Sequence, residues 1–183
     1  QHRFEASRVC ALLEAPPVRQ RLGLDASETQ RVLEWVRSSG IRWGLDKNFR
    51  NGMGGFAQNT WESGLARLFL GYMTGAAKTV HGISPLALRG SSEQELLGRV
   101  AAWVDDLGTL WSRLQGARKP ADWLDCLLWV LDAFFPQDRD QGEHVLAVRR
   151  TVTDLTREMG DFEADGRTML YLIRKRLDES GGE

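Results

Sequence analysis

Three residue types are scarce in this 183-residue chain, and each scarcity closes off a class of protein. Cys10 and Cys126 are too few and too far apart to frame disulfides or a zinc site, and two free thiols fit a reducing compartment, so a cytoplasmic setting is expected. His2, His81 and His144 are isolated and lack the i, i+4 spacing that a helical zinc site needs. Lysine occurs only at 47, 78, 119 and 175, which leaves the positive charge to arginine, the residue whose fork pairs with phosphate or carboxylate. Long apolar runs are missing as well. The longest, Cys126 to Leu131, falls far short of the roughly 20 residues that cross a bilayer, and no basic segment followed by an apolar one opens the chain. No membrane partner is expected. With a formal net charge of -1, no global attraction to nucleic acid operates either, and any such contact must come from a local patch. Period-two alternation is absent throughout, so no strand is expected. The chain begins at Gln1 without Met, which reads as an excised or processed piece.

What remains is helix. Seven Trp and seven Phe within a 42% hydrophobic chain can bury about 70% of the extended surface in one core, so a single domain over 1–183 is expected. An apolar turn from Ser7 to Glu14 is interrupted by Pro16-Pro17, and Val18 to Leu22 makes a second turn that Gly23 closes. Asp25 and Glu28 have capping-box spacing ahead of a stripe of Val32, Leu33, Trp35 and Val36 that ends at Gly40. Thr60 reads as the N-cap of a helix whose Trp61, Leu65, Leu68, Phe69 and Tyr72 share one face. Ser92 to Gln115 should be the longest helix. Pro120 suits a first helical position, and Pro136 stops the helix it begins. Two further amphipathic helices are implied by Val145 to Met159 and by Met169 to Leu177. The class is all-α, an irregular multi-helix bundle, with loops at 48–59 and 74–90 that are long enough to be functional or mobile.

Each chemically suggestive group has a plainer account. Leu127 to Asp132 has the outline of a magnesium-binding strand end, yet it lies in a helical pattern and no GxxxxGK[ST] phosphate loop exists. Asp105 and Asp106 are adjacent on a helix, about 100° apart, and cannot grip one metal. Gly52-Met53-Gly54-Gly55 follows no strand and reads as a turn rather than a dinucleotide fingerprint. Trp35, Trp61, Trp103, Trp111 and Trp123 fall on buried stripes, so core duty explains them better than base stacking. Trp43 lies outside those stripes between Arg42 and Gly44. The favoured reading is that it plugs the core while Arg42 caps a helix end, and the alternative is that the pair faces a partner. Arg149-Arg150 and Arg174-Lys175-Arg176 read as solvated helix faces, with phosphate contact second. No catalytic, metal or cofactor site is expected. Arg42, Lys47 and Arg50, grouped around the Gly-rich turn, are the candidate phosphate or partner contacts.

The order Arg3-Phe4, Val9 to Glu14, Pro17-Val18, Leu22-Gly23-Leu24, Trp35-Val36 and then Ser39-Gly40-Ile41-Arg42-Trp43-Gly44-Leu45-Asp46 resembles the middle of the gamma chains (RecC) of exodeoxyribonuclease V. Asn59-Thr60-Trp61, Gly64-Leu65, Arg67, Leu70-Gly71-Tyr72, Glu95-Leu96-Leu97-Gly98 and Ala133-Phe134-Phe135 continue the likeness, strongest from residue 3 to about 135. The chain departs from the family pattern at Glu62 and Ser63 and across Ala76 to Ser91. The resemblance implies a helical 2B-like insertion in a superfamily 1 helicase fold that has lost its ATP site. It further implies a parent assembly that unwinds and degrades duplex DNA ends in double-strand break repair. There the gamma chain would hold the beta and alpha chains together, while motor and nuclease chemistry belong to those partners. Two other classes stay open on the residues alone. A free-standing helical interaction module would expose a contiguous apolar face, and a small helical enzyme would need a pocket of converging titratable groups.

Overall fold

The computed structural model describes residues 3–50, 55–75, 79–88, 91–135 and 139–180. The chain falls into two compact units, residues 1–105 and 106–183. Unit one holds α1 (Ala6–Glu14), α2 (Pro16–Leu22), α3 (Ala26–Ser39), α4 (Trp61–Thr74) and the start of α5 (Ser91–Arg113), which runs on into unit two. Unit two continues with β1 (Ala117–Arg118), α6 (Pro120–Phe134), α7 (Arg139–Glu158), β2 (Ala164–Asp165) and α8 (Gly166–Ser180). The all-α class therefore holds.

The helix ends follow local chemistry. Asp25 accepts the Glu28 amide at 2.7 Å while the Glu28 carboxylate accepts the Asp25 amide at 3.2 Å, which completes the capping box of α3. Thr60 accepts the Ser63 amide at 3.1 Å at the start of α4. Gly23 and Gly40 close α2 and α3 in left-handed conformation, where a Cβ would be strained. Pro16 and Pro17 do more than interrupt the chain: they open α2, because their fixed φ suits a first turn. Pro120 opens α6 likewise, whereas the stop assigned to Pro136 lies outside the described residues, as do His2, residues 51–54 of the Gly-rich turn and residues 76–78 and 89–90 of the second loop.

Two expectations need correction. The buried stripe of α4 is Trp61, Gly64, Leu68 and Gly71, while Phe69 and Tyr72 are 39% and 38% exposed. The glycines win those positions because neighbours come too close for a side chain: a Cβ on Gly64 would lie 2.1 Å from Ile41, and one on Gly71 would lie 1.7 Å from the Leu86 carbonyl oxygen. Strands also exist, since β1 and β2 pair antiparallel with Ala117 opposite Asp165. Two residues per strand are too short for alternation to register. Within the loop 74–90, Val80 and Ile83 form an isolated bridge around His81 and Gly82.

Unit two is centred on Trp123, fully buried, with Cys126, Leu127, Val152, Leu155 and Met169 around it. The indole N–H of Trp123 donates to the Ala164 carbonyl at 2.8 Å, which ties α6 to β2 and satisfies a buried donor. In unit one, α3 and α4 pack together, and Arg67 of α4 donates to the Ser39 carbonyl at the end of α3 (2.6 Å) and to Ser84 (2.8 Å). Because an added Cβ would overlap the Ile41 side chain at Gly64 and the Leu86 backbone at Gly71, Gly64→Ala and Gly71→Ala should each cost about 1–3 kcal/mol of stability by overpacking, measured by urea unfolding. Unchanged midpoints would contradict the close approach.

Candidate functional site

The candidate contact residues lie on the connection between α3 and α4, and the structure separates them. Arg42 and Lys47 are exposed, but Arg50 is only 6% exposed. Its guanidinium faces inward. One terminal nitrogen donates to the carbonyls of Phe56 (3.0 Å) and Gln58 (2.6 Å), the other to the carbonyl of Trp43 (2.5 Å). The same group stacks 4.0 Å above the Trp43 ring. As a direct contact Arg50 is thus corrected to an internal clasp. Burial draws its pKa down from the ordinary guanidinium value, yet an arginine stays charged at neutral pH. A buried charge of this kind persists only where acceptors surround it, and three carbonyls do so here.

Gly44 makes room for the clasp. At φ +78° it occupies the left-handed region, and a Cβ there would lie 2.9 Å from the Arg50 Nε. Around it three segments run side by side. The Ala6 amide donates to the Arg42 carbonyl at 2.8 Å, the Gly44 amide to Arg3 at 2.9 Å, the Arg42 amide to Asn59 at 2.9 Å and the Trp61 amide to Gly44 at 3.0 Å. The Trp61 indole donates to the Phe4 carbonyl at 3.2 Å, and Phe4 meets Phe49 edge to face with centroids 5.2 Å apart. Phe4 and Asn59 both adopt positive φ, so left-handed non-glycine backbone gathers at this junction. Asp46 accepts the Phe49 amide at 2.6 Å, which turns the chain between Lys47 and Arg50.

Trp43 is half-buried beneath Arg50 rather than a free plug, and the cap expected of Arg42 is made by Arg67 on Ser39. Sequence reasoning did not single out Arg3 and Phe56. Arg3 is exposed and reaches the junction through its carbonyl bond to Gly44, and Phe56 is 69% exposed. Nothing in the local pattern signals either one, since Arg3 is brought in from the far side of three helices.

The remaining suspects have structural partners. Asp132, at the end of the Leu127 to Asp132 run, lies on α6 and pairs with Arg149, and Arg176 pairs with Glu158. Burial pushes the thiols of Cys10 and Cys126 up, with the Glu14 carboxylate adding to the effect at Cys10, so neither has the thiolate character of a nucleophile. An open groove of about 590 Å³ runs along α8, lined by Tyr171, Arg174, Lys175, Asp178 and Glu179. All five come from one helix. Among the described residues no group of three or more His, Cys, Asp or Glu side chains is placed to hold a metal ion, and no helix is long and apolar enough to cross a membrane.

The family model described as the RecBCD enzyme subunit RecC fourth domain matches residues 1–182. The chain belongs to the RecC family. It is 33% identical over 162 residues to the RecBCD enzyme subunit RecC of Mycolicibacterium smegmatis, covering 87% of this chain and 15% of that protein. It is 31% identical to the Haemophilus influenzae RecC over 85% of this chain and 14% of that protein, and 32% identical to the Escherichia coli RecC over 75% and 13%. The chain thus spans a small part of the length of the RecC relatives it matches.

Replacing Arg50 tests the clasp. Arg50→Met strips three carbonyls of a charged donor and should cost roughly 2–4 kcal/mol in denaturant unfolding. Arg50→Lys should recover less than half of that, because an ammonium cannot stack flat on Trp43 and bridge both sides at once. A Met variant within about 0.5 kcal/mol of the parent, the range of an ordinary surface change, would contradict the assignment.

Proposed function

We propose that this chain is a non-catalytic helical domain of the gamma subunit of a RecBCD-type helicase-nuclease, exodeoxyribonuclease V, serving in double-strand break repair as a scaffold and a contact for DNA. The observation that carries the reading is the family match, which runs through both units without a break. On this reading the two units work as one domain, inserted in the manner of a helicase 2B domain, within a cytoplasmic complex. ATP-driven unwinding and degradation of duplex ends fall to the partner beta and alpha chains.

The surface supports both halves of the role. Phe69, Tyr72 and Met73 are exposed at helical spacing on α4, a face suited to another protein surface. Arg42 and Lys47 meet the DNA directly, Arg3 joins them, and Arg50 holds the backbone that carries them. Charge on arginine suits phosphate, because the guanidinium fork matches its geometry.

The test uses a full-length gamma chain that carries this segment, co-expressed with its beta and alpha chains. Exchange of residues 6–178 for a Gly-Ser linker should cost the complex one of the two other subunits, or its ATP-dependent digestion of linear duplex. A complex of full composition and full activity would overturn the proposal.

A further inference from the structure

We propose that the outward face of α8 is a self-association site, on which a second copy of this chain lays its own α8 antiparallel, Arg167 against Asp178 and Arg174 over the ring of Tyr171. The proposal goes beyond the function given above and does not depend on it.

The helix carries two stripes. Met169, fully buried, packs with Leu172 and Ile173 against the Trp123 cluster, which accounts for the inner side. Arg167, Leu170, Tyr171, Arg174 and Asp178 stand at i, i+3, i+4, i+7 and i+11, so at about 100° per residue they share the opposite side. All five are exposed, Leu170 to 54% and Tyr171 to 65%. Packing within unit two gives no reason for this second apolar stripe, and tyrosine and arginine are the residue types that carry most interface energy. The open groove of about 590 Å³ follows the same side of the helix, where Tyr171, Arg174 and Asp178 line it.

The order of charges selects the occupant. Along the stripe a cation is followed by two apolar residues, a second cation and then an anion. Arg167, Arg174 and Asp178 belong to none of the ion pairs among the described residues, whereas Lys175 and Glu179 beside them pair with each other at 3.9 Å. Asp165, the acid nearest Arg167 in sequence, is engaged at the start of α8, where it accepts the Thr168 amide at 2.7 Å. A parallel copy in register would set like charges face to face. An antiparallel copy, turned about a two-fold axis between Leu172 and Ile173, sets Arg167 opposite Asp178, Tyr171 opposite Arg174 and Leu170 opposite the stem of Lys175. Two-fold symmetry makes each of these contacts twice, so the stripe satisfies itself. It spans only about 16 Å of helix, which makes the pairing weak and leaves its register to the charges.

Sedimentation velocity on the 183-residue chain decides the matter. Over about 5 to 500 μM the parent should pass from monomer to dimer, with a dissociation constant on the order of 100 μM, as suits a small interface. Arg167→Asp and Asp178→Arg, which each set like charges together, should weaken the dimer about ten-fold, and so should Tyr171→Ala. Arg167→Asp combined with Asp178→Arg should restore association to within about three-fold of the parent, a recovery that a misfolded chain cannot show. Salt at about 1 M should weaken the parent dimer. A chain that stays monomeric over the whole range overturns the proposal. A double variant that associates no better than the single ones overturns it as well, and so does a dimer that Phe69→Ser on α4 abolishes while Arg167→Asp leaves it intact.

Discussion

The buried guanidinium of Arg50 shapes the connection on which Arg42 and Lys47 sit. An arginine placed inside a fold needs acceptors for its donors, and here the two terminal nitrogens find the carbonyls of Trp43, Phe56 and Gln58, while the buried Nε has no hydrogen-bond partner among the described residues. Satisfying that one group draws residues 43 and 56–58 toward each other. Gly44 is then required, since any larger residue would press on the Arg50 side chain. The N-terminal segment completes the junction through Arg3, Phe4 and Ala6, which bond to Gly44, Trp61 and Arg42. A basic, aromatic edge with little freedom of its own follows from these contacts.

Much of the helical scaffold could be read directly from the chain, because helix caps are local. Asp25 with Glu28, Thr60 before Trp61, Gly23, Gly40 and Pro120 each act within a few residues, and each ends or begins a helix as its chemistry demands. The face of α4 was harder to read. Periodicity credits Phe69 and Tyr72 with burial, but what sits opposite them depends on Ile41 and Leu86, whose approach only a glycine tolerates. The β1–β2 ladder is a tertiary meeting of two short stretches and leaves no periodic trace. The contact residues were legible only in part. Exposure of Arg42 and Lys47 and burial of Arg50 depend on which way the chain turns at Asp46, and the place of Arg3 depends on a bond to Gly44 some forty residues away in sequence.

On the function proposed above, charge explains why such a patch is needed. A chain with net charge -1 gains nothing from long-range attraction to phosphate, and ion pairs such as Arg99 with Glu28, Arg149 with Asp132 and Arg176 with Glu158 join its own helices. Cations left without a carboxylate therefore carry more weight than their number suggests. Membership of the RecC family sets these cations in a chain whose relatives are named as subunits of the RecBCD enzyme. Among the described residues the two thiols are pushed up and the α8 groove is lined from one helix. On the function proposed above, its contribution lies in held surfaces.

Native-state hydrogen exchange on the Arg50→Lys variant tests the central claim most directly. The amides of Ala6, Arg42, Gly44 and Trp61 should lose protection together, while amides around Trp123 keep theirs, because the four bonds form one junction held by one guanidinium. Protection at all four that matches the parent protein would contradict the account, and so would a loss confined to one of them.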